Sequence, residues 1–195
     1  QVRRRATSLR HQLAAVMAAD YGSAAVRSWL SDNARLLSAA ESEARAYIWN
    51  AHDYPSVTSD GLERLRVSAI AAAYLADAGP GGFAEDTLAA FLTGVQDLQD
   101  LRLGELWAIR GALMLDLLAA VVAAAIAEDQ ARLRAAIDSI RRIGAANWLV
   151  LFDQVSVVDR VLAADPAGAY AVMDQASRDM YRHVVSYLAR HGRAS

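Results

Sequence analysis

The feature that most limits how this chain can fold is the stretch from Ala112 to Ala127, where Asp116 is the only charged side chain. It falls short of the roughly 20 apolar residues that a bilayer core demands, and Asp116 interrupts it. The stretch therefore reads as the middle of a buried core helix running from Leu103 to about Asp129, and the chain as one with no transmembrane segment. The rest follows the same period. Leu9, Leu13, Val16 and Met17 recur at helical spacing over Thr7–Ala19, with Thr7 or Ser8 as the cap. Val26, Trp29, Leu30, Leu36 and Leu37 form one apolar stripe of a long helix from Ser23 to about Trp49, with Arg27, Arg35, Glu41, Glu43 and Arg45 outside it.

Breakers divide these helices. His52 to Gly61 carries proline, glycine and side chains that compete for backbone hydrogen bonds, and reads as a loop before a helix over Leu62–Ala78. Gly79-Pro80-Gly81-Gly82 cannot sustain a helical ladder, so a helical hairpin returns through Ala84–Leu98. Gln130–Ile143 is a more polar helix, punctuated by Gly144. Shorter helices follow over Asn147–Val155, Ser156–Ala163 with Ser156 as cap, Ala167–Met173 entered through Asp165-Pro166, and Ser177–Arg190. No segment shows strand alternation. The expected fold is all-α: an irregular bundle or solenoid-like array of antiparallel helices, in one domain over 1–195, with long helices in 1–143 and short ones in 144–195.

With 195 residues, 55% of them hydrophobic, the chain can build a core without staples. It has no cysteine, hence no disulfide, thiolate nucleophile or cysteine metal site. A net charge of −2 removes the broad attraction that binding to a phosphate backbone needs, so nucleic acid is not an expected partner. Every basic residue is arginine, which we read as codon bias. The start, Gln1-Val2-Arg3-Arg4-Arg5, has no apolar signal core behind it and reads as a cut from a longer chain.

Chemistry has little to stand on. The four histidines show no spacing that would put two metal ligands on one helical face. A chain without lysine has no phosphate-binding loop of the Gly-x-x-x-x-Gly-Lys type, and no serine sits in a nucleophile elbow. No cofactor is expected. Glu105, Asp116, Asp153, Asp165, Asp174 and Asp179 could supply paired carboxylates for glycosidic acid–base work, at separations of roughly 5 to 9.5 Å. Helix-terminal roles suit Glu105 and Asp165 better, and Asp174 and Asp179 stand beside Arg178 and Arg182 as a local charged network. Trp29, Trp107 and Trp148 fall on apolar stripes and read as core. Trp49, His52 and Tyr54, around the loop, are the candidates for an exposed binding surface. Arg178, Arg182, Arg190 and Arg193 read either as an anion-contact patch or as a solvated helix face.

Three blocks carry a resemblance. Trp29-Leu30-Ser31-Asp32-Asn33 is similar to a Trp-Leu-x-Asp-Asn stretch, and Gly104-Glu105-Leu106-Trp107-Ala108 to a Gly-Glu-Leu-Trp-Ala motif before a long apolar helix. The third block is Trp148, Phe152, Ser156-Val157, Leu162, Asp165-Pro166, Gly168, Tyr170, Met173-Asp174, Ser177-Arg178-Asp179 and Tyr181-Arg182-His183. Their residues and order resemble the N-terminal, non-transmembrane region of the cyclic β-1,2-glucan synthases, large bacterial membrane glycosyltransferases. The likeness spans about residues 20–191. It departs from the family in a shorter segment before Trp148 and in Gln175-Ala176, where an aromatic residue usually precedes the alanine.

The resemblance implies a parent enzyme that builds β-1,2-linked glucan from UDP-glucose at the inner membrane, with this module on the cytoplasmic side. It carries over no catalytic residue, and no Asp-x-Asp donor motif is present. The reading that follows is a non-catalytic helical scaffold or regulatory module whose partners are other domains of the same polypeptide. The alternatives are a stand-alone carbohydrate- or protein-binding module, for which β-glucan is one ligand, and an independent hydrolase or transferase using Glu105 with a second carboxylate.

Overall fold

A computed structural model describes residues 2–18, 22–50, 54–59 and 61–192. The fold is all-α, as expected. Ten α-helices are present among the described residues: α1 (Val2–Val16), α2 (Ala24–Asp32), α3 (Ala34–Trp49), α4 (Arg66–Ala78), α5 (Glu85–Leu98), α6 (Leu103–Ile126), α7 (Gln130–Ala145), α8 (Trp148–Val155), α9 (Val157–Ala163) and α10 (Gln175–His191). The chain forms two compact units. One comprises residues up to Leu88 with Ala108–Ala146, the other Ala89–Trp107 with residues from Asn147 onward, so α5 and α6 each contribute to both.

In the first unit, Ile109, Leu113, Leu117, Leu118 and Val121 of α6 are almost completely buried. Leu37, Ala40 and Ala44 of α3 are buried as well, as are Leu133, Ala136, Ile137 and Ile140 of α7. By length and composition α6 could cross a membrane, and two-thirds of its most apolar stretch (67%) is buried within the protein. Gly111 lets α3 and α6 approach: a Cβ there would lie 2.5 Å from Tyr47 Cβ and 3.2 Å from the Glu43 carbonyl oxygen. Gly79, at φ 73°, ends α4 in a backbone conformation that costs a glycine little. In the second unit, Leu92, Leu106, Leu151, Val155 and Tyr170 are buried, with Arg182 among them.

Capping residues mark several helix starts. Ser23, Asp129, Asn147, Ser156 and Asp174 each accept a hydrogen bond from the backbone N–H three residues on. These bonds satisfy donors that the first helical turn leaves unpaired.

The structure corrects several sequence expectations. α1 runs through Thr7 and Ser8 from Val2, so neither is a cap. The long helix over Ser23–Trp49 is two helices broken at Asn33. The Asn33 side-chain amide donates to the Trp29 carbonyl at 2.8 Å, and its oxygen accepts from Arg141 at 2.9 Å, which holds the break against α7. Within the expected loop, Ser56–Ser59 (β1) pairs antiparallel with Leu62–Leu65 (β2), so strand structure does occur, and α4 starts only at Arg66. Gly144 lies inside α7. The expected helix over Ala167–Met173 is one 3₁₀ turn, Tyr170–Val172. Asp165 accepts from Ala167 N–H at 3.2 Å and Gly168 takes φ 62°, a turn in place of a helix start.

Candidate functional site

The third sequence block folds around an ion network centred on Arg182. Ser156 caps α9 by accepting from the Asp159 N–H at 3.1 Å, which places the Asp159 side chain in the first helical turn. Arg182, on α10, is 1% exposed. Its Nε lies 3.0 Å from both Asp159 carboxylate oxygens, and its Nη2 donates to Asp159 at 2.8 Å. Nη2 also donates to Asp153 of α8, and Nη1 donates to Asp179 at 2.9 Å. With the Gln175 amide oxygen turned toward it, Nη1 has a second acceptor at 3.3 Å. A fork of five donors is thus matched by acceptors from α8, α9 and α10.

Around this centre the Tyr170 hydroxyl donates to Asp159. Arg178 pairs with Asp153 at 3.3 Å, donates to the Ala171 carbonyl at 2.9 Å, and lies 5.8 Å from the Tyr170 ring centroid. Tyr181 meets Tyr170 edge-on at 6.2 Å and remains partly exposed. Burial alone would raise the Asp159 carboxyl, but hydrogen bonds from Arg182, Tyr170 and Ser156 outweigh it and hold the group below the usual carboxylate range. The Tyr170 phenol is pushed up to about 12, by burial first and then by its bond to Asp159.

Arg178 and Arg182 are therefore neither an anion-contact patch nor a solvated face: both guanidiniums turn inward onto carboxylates. The side chains of Arg190 and Arg193 lie outside the described residues. Asp174 caps α10 through Ser177 N–H at 2.8 Å, and that bond lowers its carboxyl. Glu105 is 1% exposed and accepts from Arg102 N–H at 3.1 Å, reaching back to the start of its own helix. Trp107 is half-buried with the His183 ring 5.0 Å away, and Trp148 is buried beside Phe152. Trp29 is half-buried under the Arg134 guanidinium at 4.8 Å, so it is a cation–π platform and not fully core.

Asp159 is the network residue that the sequence analysis does not single out. Its signal along the chain is the Ser156-x-x-Asp159 spacing of a helix start, and its partner Arg182 lies 23 positions away.

The exposed-surface residues separate. Trp49 is 76% exposed and lines a groove of about 280 Å³ between α1 and α3, floored partly by α6. Tyr54 stacks on Tyr47 at 5.9 Å, so it is a packing residue, and His52 lies outside the described residues. Tyr47 shares a 2.6 Å hydrogen bond with Ser68 and is pushed up to about 12, chiefly by burial. On α6, Asp116 pairs with Arg5 at 2.7 Å, and burial raises its carboxyl against the pull of that arginine. Arg110 binds Glu43 at 2.6 Å.

These geometries define an all-α protein whose buried charges join helices to one another. The chain matches no protein-family model and no curated protein. Among the described residues, no group of three or more metal-ligating side chains is gathered.

Proposed function

We propose that this chain is a non-catalytic helical scaffold module of a cyclic β-1,2-glucan synthase-like glycosyltransferase, held by its parent on the cytoplasmic side of the bacterial inner membrane. The observation that supports the reading is the mutual pairing of Asp153, Asp159, Tyr170, Arg178, Asp179 and Arg182. Arg182 and the three aspartates pair with one another across three helices, so the charges of this block are engaged in joining helices. A motif used in this way serves packing, and function has to be argued from other surfaces.

The module's role is to present a docking face to other domains of the same polypeptide. Support comes from α10, where Met180, Val184, Tyr187 and Leu188 recur at three- and four-residue spacing and each is more than half exposed. A clustered apolar stripe of this kind on one helix marks an interaction surface.

The test is the intact mass of the natural gene product combined with an activity assay of the purified chain. The reading expects a product far above 21.0 kDa and no turnover of UDP-glucose by the chain alone. A free-standing product of that mass, or turnover without other domains, sinks it.

A further inference from the structure

We propose that the groove between α1 and α3 binds the alkyl chain of a medium-chain amphiphile with an anionic head group. The floor comes from Leu9 and Leu13 of α1, Ile48 of α3, and Leu115 and Leu118 of α6. This floor offers nothing to sugar hydroxyls, and burying a hydroxyl against it without a partner is costly, so the floor suits an alkyl chain better than a glucan; the polar lining residues Thr7, Arg10, Glu41 and Arg45 complete the groove. At interior packing density, the volume of about 280 Å³ accommodates an alkyl chain of roughly ten carbons.

The head group is set by the rim. Arg10 and Arg45 are 66% and 61% exposed and share one acceptor, Glu41, at 3.5 and 2.8 Å. Two guanidiniums facing one carboxylate leave a net positive rim, and exposed ion pairs of this kind are weak enough to rearrange around a competing carboxylate or phosphate. Trp49, at the end of α3, then has its exposed ring available to cover the chain. This inference is independent of the glucan synthase reading, because it uses none of the residues that carry that resemblance.

The experiment is isothermal titration calorimetry of the full chain with decanoate below its micelle-forming concentration. Decanol, a β-1,2-linked glucose disaccharide and phosphatidylglycerol vesicles are run in parallel. Saturable one-to-one binding of decanoate is expected, with no heat from the disaccharide. The double variant Arg10→Gln/Arg45→Gln should weaken decanoate about tenfold and leave decanol unchanged. Ala6→Phe, at a half-buried position on the groove wall, should abolish binding of both while the far-UV circular dichroism and Tm stay those of the wild type. No saturable binding of decanoate overturns the proposal, as does binding that survives Ala6→Phe. Binding to vesicles alone makes the protein a membrane-surface binder, and binding of the disaccharide makes the groove a carbohydrate site; either result also overturns it.

Discussion

Replacing Arg182 with methionine tests whether the ion network holds the second unit together. The guanidinium is 1% exposed, and its partners Asp159, Asp153 and Asp179 are 7%, 22% and 40% exposed. Methionine fills part of the volume but leaves the Asp159 carboxylate buried without a cation. Removing one partner of a buried pair costs about 3–5 kcal/mol. Most of that is expected from Asp159, because an ion pair as exposed as that of Asp179 contributes less than about 1 kcal/mol. Adding Asp159→Asn to Arg182→Met should recover roughly half of the loss, since the uncompensated charge is then gone.

The pH dependence gives the sharper signature. In the wild type the Asp159 carboxyl lies below its ordinary value, so its contribution is present above the ordinary carboxylate range and is lost as pH falls through the lower, folded-state value. In Arg182→Met burial dominates, the carboxyl rises, and the sign reverses: stability is then lost as pH rises through the carboxylate range. The gap between variant and wild type should therefore narrow as pH falls from about 7 to about 3. Urea denaturation followed by circular dichroism at several pH values measures it. A loss below about 1 kcal/mol at pH 7, or a gap that does not change with pH, would refute the reasoning.

Three further substitutions probe individual contacts. Tyr170→Phe removes the hydroxyl that donates to Asp159 and should cost about 1.5–3 kcal/mol, the range for a hydrogen bond to a charged group; an unchanged urea midpoint would contradict this. Gly111→Ala places a Cβ 2.5 Å from Tyr47 Cβ, so despite the better helix propensity of alanine it should destabilise by about 1–3 kcal/mol, read as a lower Tm. Asp116→Asn should raise Tm at pH 7, because a carboxyl raised by burial contributes stability below its ordinary value and loses it as pH rises through its folded-state value. The advantage of the asparagine should shrink on acidification, and a lower Tm at pH 7 would show that the Arg5 pair outweighs burial.

How much of this was legible in the sequence depended on whether the signal was local. The period of the apolar residues gave α6 its start at Leu103, and the glycine–proline run gave the break between α4 and α5, because both are written within a few residues of where they act. Ser156 was legible as a cap for the same reason. Asn33 was not, since a stripe that continues on both sides hides a break held by Arg141, 108 positions away. The β1–β2 hairpin was missed because four-residue strands are too short to display alternation. In the ion network, Asp179 next to Arg182 was visible along the chain, whereas the inward turn of Arg182 onto Asp153 and Asp159 depends on three helices meeting.

The same locality explains what becomes of the carboxylates that could have formed a hydrolytic pair. Such a pair needs one carboxyl held protonated and a second within reach across an open cleft. Asp116 has the raised carboxyl, but the groups that act on it are Arg5 and Arg64. Glu105, Asp165 and Asp174 accept from backbone N–H groups at helix or turn starts, while Asp153 and Asp179 are bound by arginine. Each has a structural partner that a catalytic role would have to displace. For Glu105, 1% exposed, displacement would leave a buried carboxyl without its backbone partner, so the energetic preference runs toward the helix-terminal role.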